Sequence, residues 1–271
     1  MGAQKAGTTW LSKYLTAAPE VTAGSLKEFH IWDALYSPAC RGALISNPTL
    51  GKIVFGGLFL HPRRLRRQKL RWAMQNDEEN YFSYFAKLLE TPGKRIAYDI
   101  TPSYSCLPSQ AISRISQGFQ RRDITTKAIF LMRDPVERCW SAARMLKDLK
   151  AGTTDVTGEE VLIHAMSEAA EIRTRYNLTQ NALREALAEE NIYVGLYEEM
   201  HRQEKIEAIS EFCGVTTDLS MMNERVNARQ KVSELNTGFK AKIALHYRDV
   251  YDTTARAYPQ ALDLWSGYRY L

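Results

Sequence analysis

Residues 2–9 read Gly-Ala-Gln-Lys-Ala-Gly-Thr-Thr, and a helical pattern with Trp10, Leu11, Tyr14 and Leu15 on one face follows at once. Ala6 and Gly7 are small enough for the backbone to curl, so successive N–H groups can point at one anion. A helix starting near Thr8 adds the unpaired N–H groups of its first turn and the positive end of its dipole. Thr8 and Thr9 add hydroxyl donors, and Lys5 adds a mobile positive charge. This pattern predicts a loop that cradles phosphate. The nucleoside triphosphatase loop sets its lysine directly before the Ser or Thr. Here Thr8 stands at the lysine position, and the lysine is Lys5, ahead of the second glycine.

A second group spans Lys127 to Ser141. Ala128 to Met132 is an apolar run of buried-strand length. Asp134 suits an N-cap, Pro135 the first helical position, and Glu137 completes a capping-box pattern. Arg133 then sits at the strand's C-terminal end. Ser141, seven residues past the cap, falls on the cap's face of the new helix. An arginine and a serine so placed can grip one phosphate by fork and hydroxyl. The third group, Ser25-Leu-Lys-Glu-Phe-His-Ile-Trp-Asp33, offers Glu28, His30 and Asp33 within six residues. An acceptor hydroxyl attacks well only if its proton is removed, and Glu28 or His30 could take it. In an extended segment these two point the same way.

Lys-Ala-Gly-Thr-Thr-Trp closely resembles the 5′-phosphosulfate loop of sulfotransferases that use 3′-phosphoadenosine-5′-phosphosulfate (PAPS). Arg-Asp-Pro and the eight-residue interval from Arg133 to Ser141 resemble the 3′-phosphate motif of that family. Glu-Phe-His-Ile-Trp-Asp is similar to a stretch of the heparan sulfate 3-O-sulfotransferases and their bacterial relatives. The resemblance implies PAPS as sulfuryl donor, adenosine 3′,5′-bisphosphate as product, and no metal. It implies that Lys5, Ala6, Gly7, Thr8 and Thr9 hold the 5′-phosphosulfate, with Lys5 also balancing the leaving group's charge. Arg133 and Ser141 would hold the 3′-phosphate. Glu28 becomes the base, with His30 its rival and Asp33 in support.

Asp99-Ile-Thr-Pro-Ser-Tyr104 resembles the family's Lys-Thr-Pro-x-Tyr segment beside the acceptor, which puts Asp99 and Tyr104 at the substrate. Ile100 occupies the lysine position, a departure from the heparan enzymes. Arg229 and Lys231 fall where relatives fold a loop over the nucleotide, and Arg175-Tyr176 and Tyr197-Glu198 match family positions more loosely. The acceptor class stays open: a glycan or small alcohol, through a hydroxyl or an amine. Two other readings are a P-loop kinase or NTPase, and a non-catalytic binder of anionic glycan or nucleotide.

The elements that must position these residues are legible as apolar runs separated by helical periods. Strands are expected at Val21 to Ala23, Arg95 to Ile100, Lys127 to Met132 and Asn191 to Leu196. Helices are expected at Asp77 to Leu89, Pro135 to Leu149, Glu159 to Arg173, Thr179 to Glu189, Glu198 to Cys213 and Gly238 to Ala255. The alternation predicts an α/β fold, a P-loop-NTPase-like parallel sheet with helices on both faces, in one domain over residues 1–271. Only Met1 precedes Gly2, so the strand that should lead into the loop is missing or truncated.

Of 271 residues, 45% are hydrophobic, enough for a sizeable core. The net charge of +5 suits anionic ligands. The basic run Arg63, Arg64, Arg66, Arg67, Lys69 and Arg71 reads as a solvated helix face or a patch for an acidic acceptor. It lacks interleaved aromatics, which argues against nucleic acid. Cys40, Cys106, Cys139 and Cys213 lack metal or disulfide spacing, and with no basic-then-apolar leader or membrane-length run this predicts a cytoplasmic protein.

Overall fold

The computed structural model describes residues 2–46, 62–224 and 235–271. Its strands form two parallel pairs. β1 (Val21–Ala23) pairs with β2 (Ile96–Tyr98), Val21 opposite Ile96. β3 (Ala128–Met132) pairs with β4 (Ile192–Leu196), Ala128 opposite Ile192. Gly2 bridges to Leu131 in parallel on the other edge of β3, and the Ala3 N–H donates to the Leu131 carbonyl at 2.8 Å. Phe130, Leu131 and Met132 are wholly buried, as a parallel strand covered on both faces requires.

The strands are parallel and lie among helices, as the α/β expectation has it, in two separate pairs. A cavity of about 480 Å³ lies between the pairs, lined by Leu15, Ala97, Phe119 and Ile129 among others. Among the described residues no strand ladder joins the two pairs there. β2 is also shorter than the expected Arg95 to Ile100, because the Ile100 N–H leaves the ladder to donate to the Lys27 carbonyl at 3.0 Å.

The helix α1 (Thr8–Ala17) buries Trp10, Leu11, Tyr14 and Leu15 as its pattern requires, with Trp10 stacked on Tyr14 at 5.0 Å. A short α2 (Trp32–Tyr36) follows the segment of Glu28 and His30. The basic run forms α3 (Pro62–Asn76). Arg63, Arg64, Arg66, Arg67 and Lys69 are exposed, whereas Arg71 turns inward. Then come α4 (Glu79–Leu89), α5 (Ser109–Gln120) and α6 (Pro135–Ala151). Phe29, Tyr81, Phe85 and Phe119 meet edge-on or tilted and fill the core beside β1 and β2.

Several expected helices are interrupted, each for a local reason. Glu159 to Arg173 divides into α7 (Gly158–Ala165) and α8 (Glu168–Glu171), because the Ser167 hydroxyl accepts from the Ala170 N–H and caps a new helix. The expected Thr179 to Glu189 helix starts earlier, as α9 (Tyr176–Ala186). Residues 197–199 form a 3-10 turn, and extended backbone at Arg202 delays α10 (Gln203–Cys213). Gly238 to Ala255 divides at Tyr247 into α11 (Thr237–His246) and α12 (Arg248–Ala257), with the Tyr247 hydroxyl donating to the Ala165 carbonyl.

Asp134 ties three segments together. Its Oδ1 accepts from the Val136 N–H at 3.0 Å and from the Tyr251 hydroxyl, and its Oδ2 accepts from Ser266 Oγ at 2.9 Å and the Gly267 N–H at 3.0 Å. Gly267 is required, since a Cβ there would lie 1.8 Å from the Tyr251 oxygen. Asp134→Ala removes the cap and leaves buried donors unpaired, at about 1–3 kcal/mol for each such group. We expect a loss of about 3 kcal/mol or more in urea unfolding, and a smaller loss for Asp134→Asn. A loss below about 1 kcal/mol for Asp134→Ala would contradict this role.

Candidate active site

The loop ahead of α1 is set by its pairing with β3. From Ala3 the chain turns back, with the Ala6 N–H donating to the Ala3 carbonyl at 3.0 Å. Lys5 and Gly7 both adopt left-handed backbone, φ 76° and 81°. At Gly7 no side chain fits: a Cβ would meet Met200 Sδ at 2.3 Å. Gly7 is also the N-cap of α1, so the helix's first N–H groups and the curled loop converge on one place. A tetrahedral anion fits that donor set. Ala6 and Thr8 are buried in the loop wall, and Thr9 lies on the more open side.

Arg133 leaves the end of β3 and reaches this loop. Its Nη1 donates to the Lys5 carbonyl at 2.9 Å, and its guanidinium lies 4.6 Å over the Tyr197 ring. Glu137 Oε2 is 3.7 Å from its Nη2. The Tyr176 hydroxyl donates to the Arg133 carbonyl at 2.7 Å. Behind it, Glu198 accepts from the Asp134 N–H at 3.0 Å and from Trp265 Nε1 at 2.9 Å. Burial pushes Glu198 up to about 7. Ser141 sits partly exposed two turns into α6, on the same face as the N-cap Asp134. Arg175 points elsewhere, to Asp249 and Glu171.

The Glu28 segment follows β1 and is braced on every side. The Thr101 hydroxyl accepts from the Phe29 N–H at 2.9 Å, and the Tyr104 hydroxyl accepts from the Ile31 N–H at 3.3 Å. From α3, Arg71 donates to the Glu28 carbonyl at 2.6 Å and Gln75 to the His30 carbonyl at 2.7 Å. His30 takes a left-handed φ of 55°, so the segment is kinked rather than extended. The kink turns the imidazole between two carboxylates. Nδ1 lies 2.7 Å from Asp33 Oδ2 and Nε2 lies 3.4 Å from Glu28 Oε2. Ser103 also donates to Asp33.

Lys27 connects this cluster to the loop. Its ammonium donates to Glu28 Oε1 at 2.8 Å and to Thr9 Oγ1 at 3.2 Å. For His30, burial pulls the pKa down, but Asp33 and Glu28 outweigh it and raise it to about 9. For Glu28, burial pushes upward, but His30 and Lys27 outweigh it and hold the carboxyl below its ordinary range. At neutral pH Glu28 is therefore an ionised acceptor of protons, and His30 is a cation with no lone pair to offer.

The structure brings Lys5, Ala6, Gly7, Thr8, Thr9 and Arg133 together at one end, and Glu28, His30 and Asp33 at the other. Asp33 is fully buried, so it braces His30 instead of facing an open site. Asp99 and Tyr104 turn inward too. Asp99 accepts from Thr101, Tyr104 and Tyr81, and what remains uncovered of it faces the cavity between the strand pairs. Both act from below the segment that carries Glu28. Arg229 and Lys231 lie outside the described residues. Thr101, Ser103 and Gln75 went unrecognised in the sequence. Thr101 and Ser103 stand in the Thr-Pro-Ser-Tyr stretch, but Gln75 carries no local signal.

The family model of the sulfotransferase domain matches residues 1–248. In fold the chain is similar to a sulfotransferase from Alicyclobacillus acidocaldarius, with a TM-score of 0.58 and 17% identity over 95% of this chain and 93% of that one. No curated protein matches it.

The charge arrangement makes His30 the sensitive probe. Its folded pKa lies above the unfolded value of about 6.5, so its contribution to stability is full below about 6.5 and is lost as pH rises through about 9. In an NMR titration we expect His30 to titrate well above the ordinary histidine value of about 6.5, and Glu28→Gln or Asp33→Asn to lower its midpoint. A midpoint near 6.5 in the parent would contradict the ion-paired geometry.

Proposed function

The chain belongs to the sulfotransferase family, and on that premise we propose that it moves a sulfuryl group from PAPS to an acceptor hydroxyl or amine, of a glycan or small alcohol. The observation that carries this reading is Lys27, which spans the N-terminal turn of α1 and the Glu28 carboxylate. It sets an anion cradle and an ionised base side by side, as in-line transfer to an acceptor demands.

In this reading the loop from Lys5 to Thr9 binds the 5′-phosphosulfate, and Arg133 with Ser141 binds the 3′-phosphate. Transfer rests on positioning and charge more than on covalent help. Glu28 takes the acceptor's proton as the new S–O bond forms. Its lowered pKa keeps it ionised, although a weaker base accepts that proton only late in the transfer. Lys5 and the loop N–H groups balance charge on the bridging oxygen as the bond to the donor breaks. His30, held as a cation by Asp33, keeps the Glu28 carboxylate in place. The free thiols of all four cysteines fit a reducing, cytoplasmic setting.

The nucleotide is the direct test. Adenosine 3′,5′-bisphosphate should raise the thermal midpoint more than ATP with magnesium, and in calorimetry should bind more tightly than AMP. Arg133→Ala should weaken the bisphosphate by about 1.5–3 kcal/mol, with AMP much less affected. Equal affinities for AMP and the bisphosphate in the parent would overturn the 3′-phosphate assignment. A preference for ATP with magnesium would favour a kinase or NTPase instead. Lys5→Ala should lower turnover more than it weakens the bisphosphate, because its interaction strengthens as charge develops. Unchanged turnover with weaker nucleotide binding would make Lys5 a binding residue alone.

A further inference from the structure

Behind Asp33 lie two cysteines that the proposed transfer does not use. Cys40 sits in the 3-10 turn Pro38–Ala43, which follows α2, and Cys106 ends the turn Pro102–Cys106, which carries Ser103 and Tyr104. Their sulfurs converge on two successive residues. Arg173 Nη2 donates to Cys40 Sγ at 3.2 Å, and Cys106 Sγ donates to the Ile172 carbonyl at 3.5 Å. The guanidinium is itself fixed, since its Nη1 donates to the Ala169 carbonyl at 2.6 Å. The two thiols are near enough to influence each other, Cys106 drawing the Cys40 pKa down and Cys40 pushing the Cys106 pKa up.

We propose that Cys40 and Cys106 are a peroxide-sensitive dithiol, in which Cys40 is the attacking sulfur and Cys106 resolves it to a disulfide. A cysteine is reactive when a cation and a hydrogen-bond donor stabilise its thiolate, and Cys40 has both. The neighbouring Cys106 thiol and the Arg173 charge outweigh burial and the nearby Asp33, and lower Cys40 to about 6, while Cys106 is raised by the same pairing and by burial. Cys139 also accepts from a guanidinium, Arg138 Nη2 at 3.0 Å, but it has no second thiol beside it. Cys139 is fully buried, and burial pushes Cys213 up to about 11. Cys40 is nearly covered, but Cys106 is more open, and a peroxide is little larger than water.

The chemistry balances with a peroxide as oxidant. The Cys40 thiolate attacks one peroxide oxygen, the O–O bond breaks, and the departing hydroxide takes a proton to become water. Cys40 is then a sulfenic acid. The Cys106 sulfur attacks the Cys40 sulfur, the S–O bond breaks, and the hydroxide leaves with the Cys106 proton as a second water. Two electrons pass from the thiol pair to the peroxide. The new bond ties the turn that holds Ser103 to the turn behind Asp33, so oxidation state reaches the brace of His30.

The test is mass spectrometry of the full chain after brief hydrogen peroxide at pH 7. The parent should lose about 2 Da, yield a non-reduced peptide joining residues 40 and 106, and recover with dithiothreitol. Cys106→Ser should stop at a sulfenic acid on Cys40, trapped by dimedone, and Cys40→Ser should give neither product. Parent protein should also be alkylated by iodoacetamide at pH 6.5 at least about tenfold faster at Cys40 than at Cys213. That measurement stands even if a variant does not fold. Absence of the joined peptide, or equal alkylation of Cys40 and Cys213, would overturn the proposal. None of these readouts depends on sulfuryl transfer.

Discussion

The candidate site depends on a line of alternating charge: Lys27, Glu28, His30 and Asp33. A half-buried carboxylate is costly to keep ionised, and a buried one far more so. Here each charge is flanked by its opposite at hydrogen-bond or near hydrogen-bond distance, from 2.7 Å to 3.4 Å. Breaking any member leaves its neighbours uncompensated. In the proposed transfer Glu28 is the group that takes the proton, since its carboxyl is held below its ordinary range while His30 is held as a cation.

That line survives only because the backbone beneath it is over-determined. His30 holds a left-handed φ that a non-glycine residue takes at a cost of about 1–3 kcal/mol. Thr101, Tyr104, Arg71 and Gln75 bind the neighbouring N–H and carbonyl groups and hold it there. Asp99, which accepts from Thr101, Tyr104 and Tyr81, is the hub below. At the other end Asp134 and Glu198 do the same for Arg133, fixing the strand-to-helix turn from which the guanidinium reaches the loop.

The loop and the Arg133 turn were legible in the sequence because their signals are local. Gly7 must be glycine, Asp134 caps, and Pro135 starts a helix within a few residues of each other. The Glu28 segment was legible in composition but not in shape. Alternation put Glu28 and His30 on one side of an extended strand, whereas a kink brings them together. No local rule announces that kink, since its supports come from up to 73 residues away. Asp99 and Tyr104 were found but assigned outward, because a sequence does not reveal which way a strand-end carboxylate turns. The breaks at Ser167 and Tyr247 were hidden for a related reason, as the helical period runs on through both. The basic run was legible as a helix face, but only the fold shows that Arg71 leaves it to hold the Glu28 carbonyl.

The central claim is that Glu28, not His30, takes the acceptor's proton. Single-turnover rates with bound PAPS and a working acceptor test it most directly, comparing Glu28→Gln and His30→Ala with the parent. Glu28→Gln keeps the shape and loses the base, so its rate should fall about a hundredfold or more with nucleotide affinity nearly unchanged. His30→Ala should slow the reaction less and not abolish it. A Glu28→Gln rate close to the parent's, beside a dead His30→Ala, would contradict the assignment and make the imidazole the base.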